Sequence, residues 1–154
     1  MDAPQNSVWG PPLWSILHSA AERFGSIMLR HLPKEEQRIW GGLLMSLRYS
    51  LPCPQCKKHY TDYVSKHPII FQPSAIREWL YHLHSEVNQR LGRANPLTLE
   101  EAQEYYRAPI PFAAHSSILQ KEMVKAIRLG HCTREDVQRT IRFLEELKRF
   151  YYFY

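Results

Sequence analysis

Ser50-Leu51-Pro52-Cys53-Pro54-Gln55-Cys56-Lys57-Lys58-His59-Tyr60 is where the fold of this chain is decided. Proline has no amide proton and a locked φ, so a helix tolerates it in the first turn but not in the interior. Pro52 and Pro54 therefore mark a boundary. The residues ahead of it, Trp40 to Tyr49, have a helical pattern, and a helix is expected over roughly 34–49. The next helix must begin at the CxxC itself and run toward His67. A thioredoxin-like site needs a β-strand before its CxxC helix, and none is readable. Cys53 then lies at a helix start, where unpaired backbone N–H groups and the positive dipole end favour a thiolate. Disulfide exchange needs such a sulfur. The rival chemistry is zinc binding in a helical binding module. Cys53, Cys56 and His59 form C-x2-C-x2-H, with His131 or Cys132 as a fourth ligand.

On both sides the pattern stays helical. Upstream, apolar residues recur at Leu13, Trp14, Leu17, Ala20, Ala21, Phe24, Ile27 and Met28, a 3.6-residue stripe. Pro11 and Pro12 suit a helix start. Downstream, Pro68 and Pro73 bracket a connection. A fourth helix is expected from about Ser74 to Leu91, ended by Gly92. Thr98-Leu99-Glu100-Glu101 fits a capping box and opens a short fifth helix through Tyr106. Pro109 and Pro111 break the pattern. Two more helices follow at roughly 117–129 and 134–150, the first ended by Gly130 and the second opened by Thr133 with Asp136. The stripe Val137, Ile141, Leu144 and Leu147 needs a surface to bury against. The aromatic run Phe150 to Tyr154 is expected to dock on the fold. No alternation marks a strand, no internal repeat is visible, and the fold class is all-α.

Bulk properties narrow the function. At 154 residues and 44% hydrophobic content, the chain fits one globular domain with a small appendage. The formal charge is +5, but Lys and Arg are interleaved with Glu and Asp, as in Lys121, Glu122 and Lys125. That describes solvated helix faces rather than a nucleic-acid stripe. Three cysteines do not make a secreted disulfide scaffold. The first residues lack the basic-then-apolar pattern of a signal peptide, and no apolar run reaches the ~18 residues of a membrane span. The expected compartment is cytoplasmic, where a CxxC disulfide is catalytic.

Three blocks in order complete the reading. Trp9, Gly10, Trp14, Leu17 and His18 match W-G-x-x-x-W-x-x-L-H. Cys53, Cys56, His59 and Tyr60 match C-x-x-C-x-x-H-aromatic. His82, His84, Val87, Asn88, Leu91 and Gly92 match most of H-x-H-N-x-V-N-x-x-L-G-K. Together the blocks resemble the Erv/ALR family of FAD-dependent sulfhydryl oxidases over about residues 8–106. Large DNA viruses carry short members of this family, and the compact N-terminus here is similar to theirs; for such a member the compartment would be host cytoplasm or virion.

The resemblance implies a four-helix bundle plus a short fifth helix around FAD, in residues 1–108. Residues 109–154 form an additional helical extension, packed on the core or on a partner subunit. It implies Cys53 and Cys56 as the catalytic pair. A thiol of a protein substrate attacks Cys53, Cys56 leaves and passes electrons to FAD, and O2 takes them to give H2O2. It implies that Gly10, Leu13, Trp14, Leu17, His18, His59 and Tyr60 line the flavin. His82, His84, Val87, Asn88, Leu91 and Arg93 would hold the adenosine and pyrophosphate, with Arg93 near phosphate. Tyr105 or Tyr106 would stack on adenine, with Tyr105 taken as the site residue. A homodimer through the Leu13–Met28 stripe is also implied.

The chain departs from the pattern at Ser85, where Asn is usual, and at Arg93, which replaces Lys. The structural cysteines after L-G-K-P and the shuttle cysteine pair are missing. A shuttle needs two exchangeable cysteines, and the extension has only Cys132.

Overall fold

A computed structural model describes residues 3–27, 32–94 and 97–154. Helices α1 (Asn6–Glu22), α2 (Leu32–Ser50), α3 (Pro54–Lys66), α4 (Pro73–Arg90), α5 (Leu99–Tyr106), α6 (Phe112–Arg128) and α7 (Arg134–Phe150) run through them. Among the described residues there is no strand.

Three N-termini follow their side chains. Cys53 caps α3, its Sγ accepting the Cys56 N–H. Thr98 and Glu101 form the full reciprocal capping box of α5. Thr133 accepts the Asp136 N–H at the start of α7. Each such cap contributes about 1 kcal/mol.

Two helices start earlier than the sequence pattern suggests. Helix α1 begins at Asn6, so Pro11 and Pro12 lie inside it. They leave the carbonyls of Ser7 and Val8 without helical partners, but both residues are exposed and water can take the bonds. Helix α6 begins at Phe112, directly after Pro111 at the N-cap. The stripe beyond Glu22 is not helical. Gly25 turns the chain at φ +80, and its N–H donates to Glu36 Oε2 at 3.0 Å. Phe24 reaches the core from this turn, while Met28 lies outside the described residues.

Helix α1 packs on α4 and α5, and α2 on α3. The extension then covers the other sides, with α6 along α1 and α7 along α2. One hydrophobic cluster runs through the bundle and the extension alike, from Ile16, Trp40 and Leu80 to Phe112, Met123 and Leu144. Close approach of α7 depends on Gly42, where a Cβ would fall 2.1 Å from Phe143 Cζ. Between the same helices Thr140 Oγ1 shares hydrogen bonds with Ser46 (2.8 Å) and Ser50 (2.6 Å). All three residues are buried.

The aromatic tail closes the structure. Trp40 Nε1–H donates to the Tyr151 hydroxyl at 2.9 Å, which donates in turn to Glu36. Burial, then the Glu36 bond, raises the Tyr151 pKa, so the hydroxyl keeps its proton. Phe153 stacks on Phe112 and lies under the Arg23 guanidinium.

Candidate active site

A cavity of about 340 Å³ opens where α1, α2, α3 and α4 meet. It is built from the N-terminal half of α1, the C-terminal ends of α2 and α4, and the CxxC turn. Trp9, Leu13 and Leu17 line it at intervals of one helical turn, with Gly10 and Trp14 beside them. Leu47 and Leu51 come from the end of α2, and Leu83, Val87, Arg90, Leu91 and Arg93 from α4 and its exit. Cys53, Gln55, Cys56, His59 and Tyr60 complete the wall. Tyr60 fixes α3 against α2, its buried hydroxyl donating to the Leu44 carbonyl at 2.6 Å.

Both thiols of the CxxC are free and half-buried on this wall. Cys53 Sγ accepts the Cys56 N–H at 3.2 Å. Cys56 Sγ lies 3.8 Å from Asn6 Oδ1 of α1. Burial above all, then the hydrogen bond and charge of Cys53, pushes the Cys56 thiol up to about 12, while Asn6 and Arg90 pull it down.

The turn between α6 and α7 supports the CxxC segment from below. Lys57 Nζ donates to the His131 carbonyl. Cys132 Sγ–H donates to the Leu51 carbonyl at 3.4 Å, which also takes the Cys53 N–H at 2.8 Å. Cys132 is buried, and burial raises its pKa. Lys57 Nζ, 3.9 Å from its sulfur, acts against that rise.

A smaller cavity of about 60 Å³ lies toward α5, lined by His18, Tyr81, His84, Ser85, Asn88, Leu97, Ala102 and Tyr106. Four rings connect its wall to the larger cavity. Trp14 stacks on His84 at 4.0 Å and His18 on Tyr106 at 4.5 Å. His18 Nε2 and His84 Nδ1 share a hydrogen bond of 3.0 Å. Burial, then His84, lowers His18 to about 3. Burial, then the nearby Arg93, lowers His84 to about 4. Both rings are neutral at neutral pH and present flat faces.

The residues fit a planar, anionic cofactor such as FAD on three observations. Gly10 is buried on the cavity wall, yet a Cβ placed there would have nothing within 4 Å, so the missing side chain leaves ring-sized space. Trp9, on the cavity wall, has a buried Nε1–H with no partner. Arg90 and Arg93 supply cations on the same wall.

Of the expected cofactor residues, Gly10, Leu13, Trp14, Leu17, His59, Tyr60, Val87, Leu91 and Arg93 converge on the larger cavity. His18, His84 and Asn88 line the smaller. Two stand apart: His82 is exposed on α4 beside Tyr81, and Tyr105 is 66% exposed, with Tyr106 taking the place against His18. Trp9, Leu47, Leu51 and Arg90 were not among the expected lining residues. Extending the α1 stripe back by one turn would have reached Trp9. The alternative zinc module lacks a site, since no group of three or more His, Cys, Asp or Glu side chains comes together among the described residues.

Fold and site define a helical-bundle protein whose dithiol faces a ring-lined cavity. The chain belongs to the Erv1 / Alr family, whose profile matches residues 11–107. A relative in African swine fever virus (isolate Pig/Kenya/KEN-50/1950), an FAD-linked sulfhydryl oxidase, is 31% identical over 79% of this chain and 88% of its own length. A relative in Frog virus 3 is 32% identical over 62% of this chain and 64% of its own. The FAD-linked sulfhydryl oxidase ERV1 of Arabidopsis thaliana is 26% identical over 54% and 42%. No solved structure gives a significant match.

Proposed function

We infer that this chain is an FAD-linked sulfhydryl oxidase that forms disulfides in protein substrates. The observation that carries the reading is the opening of both CxxC thiols into the one cavity walled by rings and cations. In the oxidised pair, a substrate thiolate attacks Cys53 Sγ. The Cys53–Cys56 bond breaks, a substrate–Cys53 mixed disulfide forms, and Cys56 leaves as thiolate. A second substrate thiolate attacks the substrate sulfur, completing the substrate disulfide and releasing Cys53. FAD, when bound on this wall, would supply the two-electron acceptor that lets the Cys53–Cys56 bond re-form, with O2 as the final oxidant and H2O2 as its product.

The chain's own parts have separate duties. The helix start and the Cys56 N–H stabilise charge on the Cys53 sulfur. Apolar side chains of α1, α2 and α4 share the cavity wall with the inner sulfur. Gly10 leaves open space on the wall, Trp14 and the His18–His84 pair offer flat rings, and Arg93 a cation. The proposed compartment is the cytoplasm. No described helix is long and apolar enough to cross a membrane. The homodimer stays a proposal with its interface moved. Leu13, Ile16, Leu17, Ala20 and Ala21 are all buried within the chain, and α6 lies along α1.

The test is oxidation of a reduced protein substrate, followed by O2 uptake. Cys53→Ala and Cys56→Ala should each bind FAD and lose turnover by at least about a hundredfold, as removal of a nucleophile does. Cys53→Ala should also show a broad long-wavelength band from a thiolate beside the flavin. Full turnover in either variant, or the band in Cys56→Ala instead, overturns the assignment.

A further inference from the structure

Asn6 is the first residue of α1, and it lies outside all three sequence blocks. It does not cap the helix, because the N-cap is Gln5 and makes no side-chain cap bond. Its amide instead faces the CxxC across the cavity, with Oδ1 3.8 Å from Cys56 Sγ. The other groups facing this sulfur are Cys53 on the preceding turn and Arg90 from the end of α4. His59, Tyr60 and Arg93 complete the titratable part of the cavity wall, and α2 with its exit contributes only Leu47 and Leu51.

A carboxamide carries an acceptor and two donors on one planar group, and a half-turn of that plane exchanges them. We propose that Asn6 is a catalytic contact of Cys56, accepting from its S–H while it is a thiol and donating N–H to it once it leaves as thiolate. The proposal rests on Cys56 being the inner, leaving sulfur of the oxidase. The second bond is the stronger, because a hydrogen bond to an ionised acceptor is roughly twice as strong as a neutral one. Asn6 therefore favours the state in which Cys56 departs from the mixed-disulfide step. Burial first, and then the bond and charge of Cys53, oppose ionisation of this sulfur, while the Asn6 contact favours it.

The test isolates Cys56 as the only thiol, with Cys53→Ser and Cys132→Ser, in FAD-loaded protein. Asn6 is then kept, or replaced as Asn6→Ala or Asn6→Asp. Two readouts follow the sulfur against pH: the alkylation rate by iodoacetamide, and the long-wavelength band. Asn6→Ala should move both midpoints to higher pH and slow alkylation below the midpoint about three- to tenfold. Asn6→Asp, which can only accept and adds negative charge, should slow it further. An acid in the first turn of a helix is favourable, so a loss in Asn6→Asp cannot be ascribed to unfolding of α1. Unchanged midpoints in Asn6→Ala, or an Asn6→Asp midpoint at or below that of the parent, overturns the proposal. If the band is absent in every variant but alkylation follows the expected order, the contact stands and the placement of Cys56 beside the flavin falls.

Discussion

His18 and His84 share one proton between facing nitrogens, so at any moment one ring donates and the other accepts. A second proton would put a charge in a buried stack; burial above all, then His84 for His18 and Arg93 for His84, lowers the two pKa values to about 3 and about 4. In the unfolded chain each histidine titrates near 6.5. Below that pH the unfolded state binds protons that the folded state refuses, so stability falls. The contribution is fully present above about 6.5 and is lost as pH drops toward the two folded values. Part of the His84 effect is screened by solvent. Gln keeps an amide at the position of the His18 Nε2 without titrating. His18→Gln should therefore be less stable than the parent at neutral pH, yet lose less melting temperature between about pH 6.5 and 4. Parallel slopes in thermal melts of the two proteins would show that the pair does not govern acid stability.

Helix α7 reaches α2 only because position 42 has no side chain. Gly42→Ala would drive a methyl into the Phe143 ring, and the ring is held between helices that also share the Thr140–Ser46–Ser50 bonds. Overpacking of this kind costs about 1–3 kcal/mol, or roughly 2–10 °C for a chain of this size. A melt unchanged by the substitution would mean that Phe143 moves aside freely. No periodicity announces this contact, because a glycine in a helical stripe reads the same whether it faces solvent or a ring. The elements that were legible carry their signal locally. Thr98 and Thr133 announce helix starts by their side-chain oxygens, and Pro52 and Pro54 place Cys53 at a cap. The starts of α1 and α6 were misjudged where prolines stand for a boundary: Pro11 and Pro12 lie within a helix, and Pro111 opens one earlier. Most of the cavity wall was legible as well, because its blocks have helical spacing. His82 and Tyr105 line neither cavity, because spacing along a helix does not say which of two near neighbours faces inward. Arg90 and Asn6 had no signal, since each matters only through a sulfur brought to it by another helix.

The whole molecule is a core with a hole in it. Helices α6 and α7 cover the outer faces of α1 and α2, while their inner faces part around about 340 Å³ of apolar space. Without a ligand, Leu13, Leu17, Leu47, Leu51 and Leu83 lack partner atoms on one side and forgo dispersion contacts. The Trp9 N–H is buried without an acceptor, at a cost of about 1–3 kcal/mol. FAD would fill the first deficit with its rings. Anything bound by the folded state and not by the unfolded one stabilises by mass action, about 2.7 kcal/mol at a hundredfold excess over Kd. For a chain of this length that is roughly 5–10 °C. Protein stripped of flavin should therefore melt at least that much below the loaded protein, and added FAD should restore the melting temperature in a concentration-dependent way. The Cys53→Ala, Cys56→Ala double variant should gain the same increment, because the stabilisation comes from filling the cavity rather than from turnover. Equal melting temperatures with and without FAD would mean that the cavity closes on itself when empty, and that the cofactor is held outside the space these helices enclose.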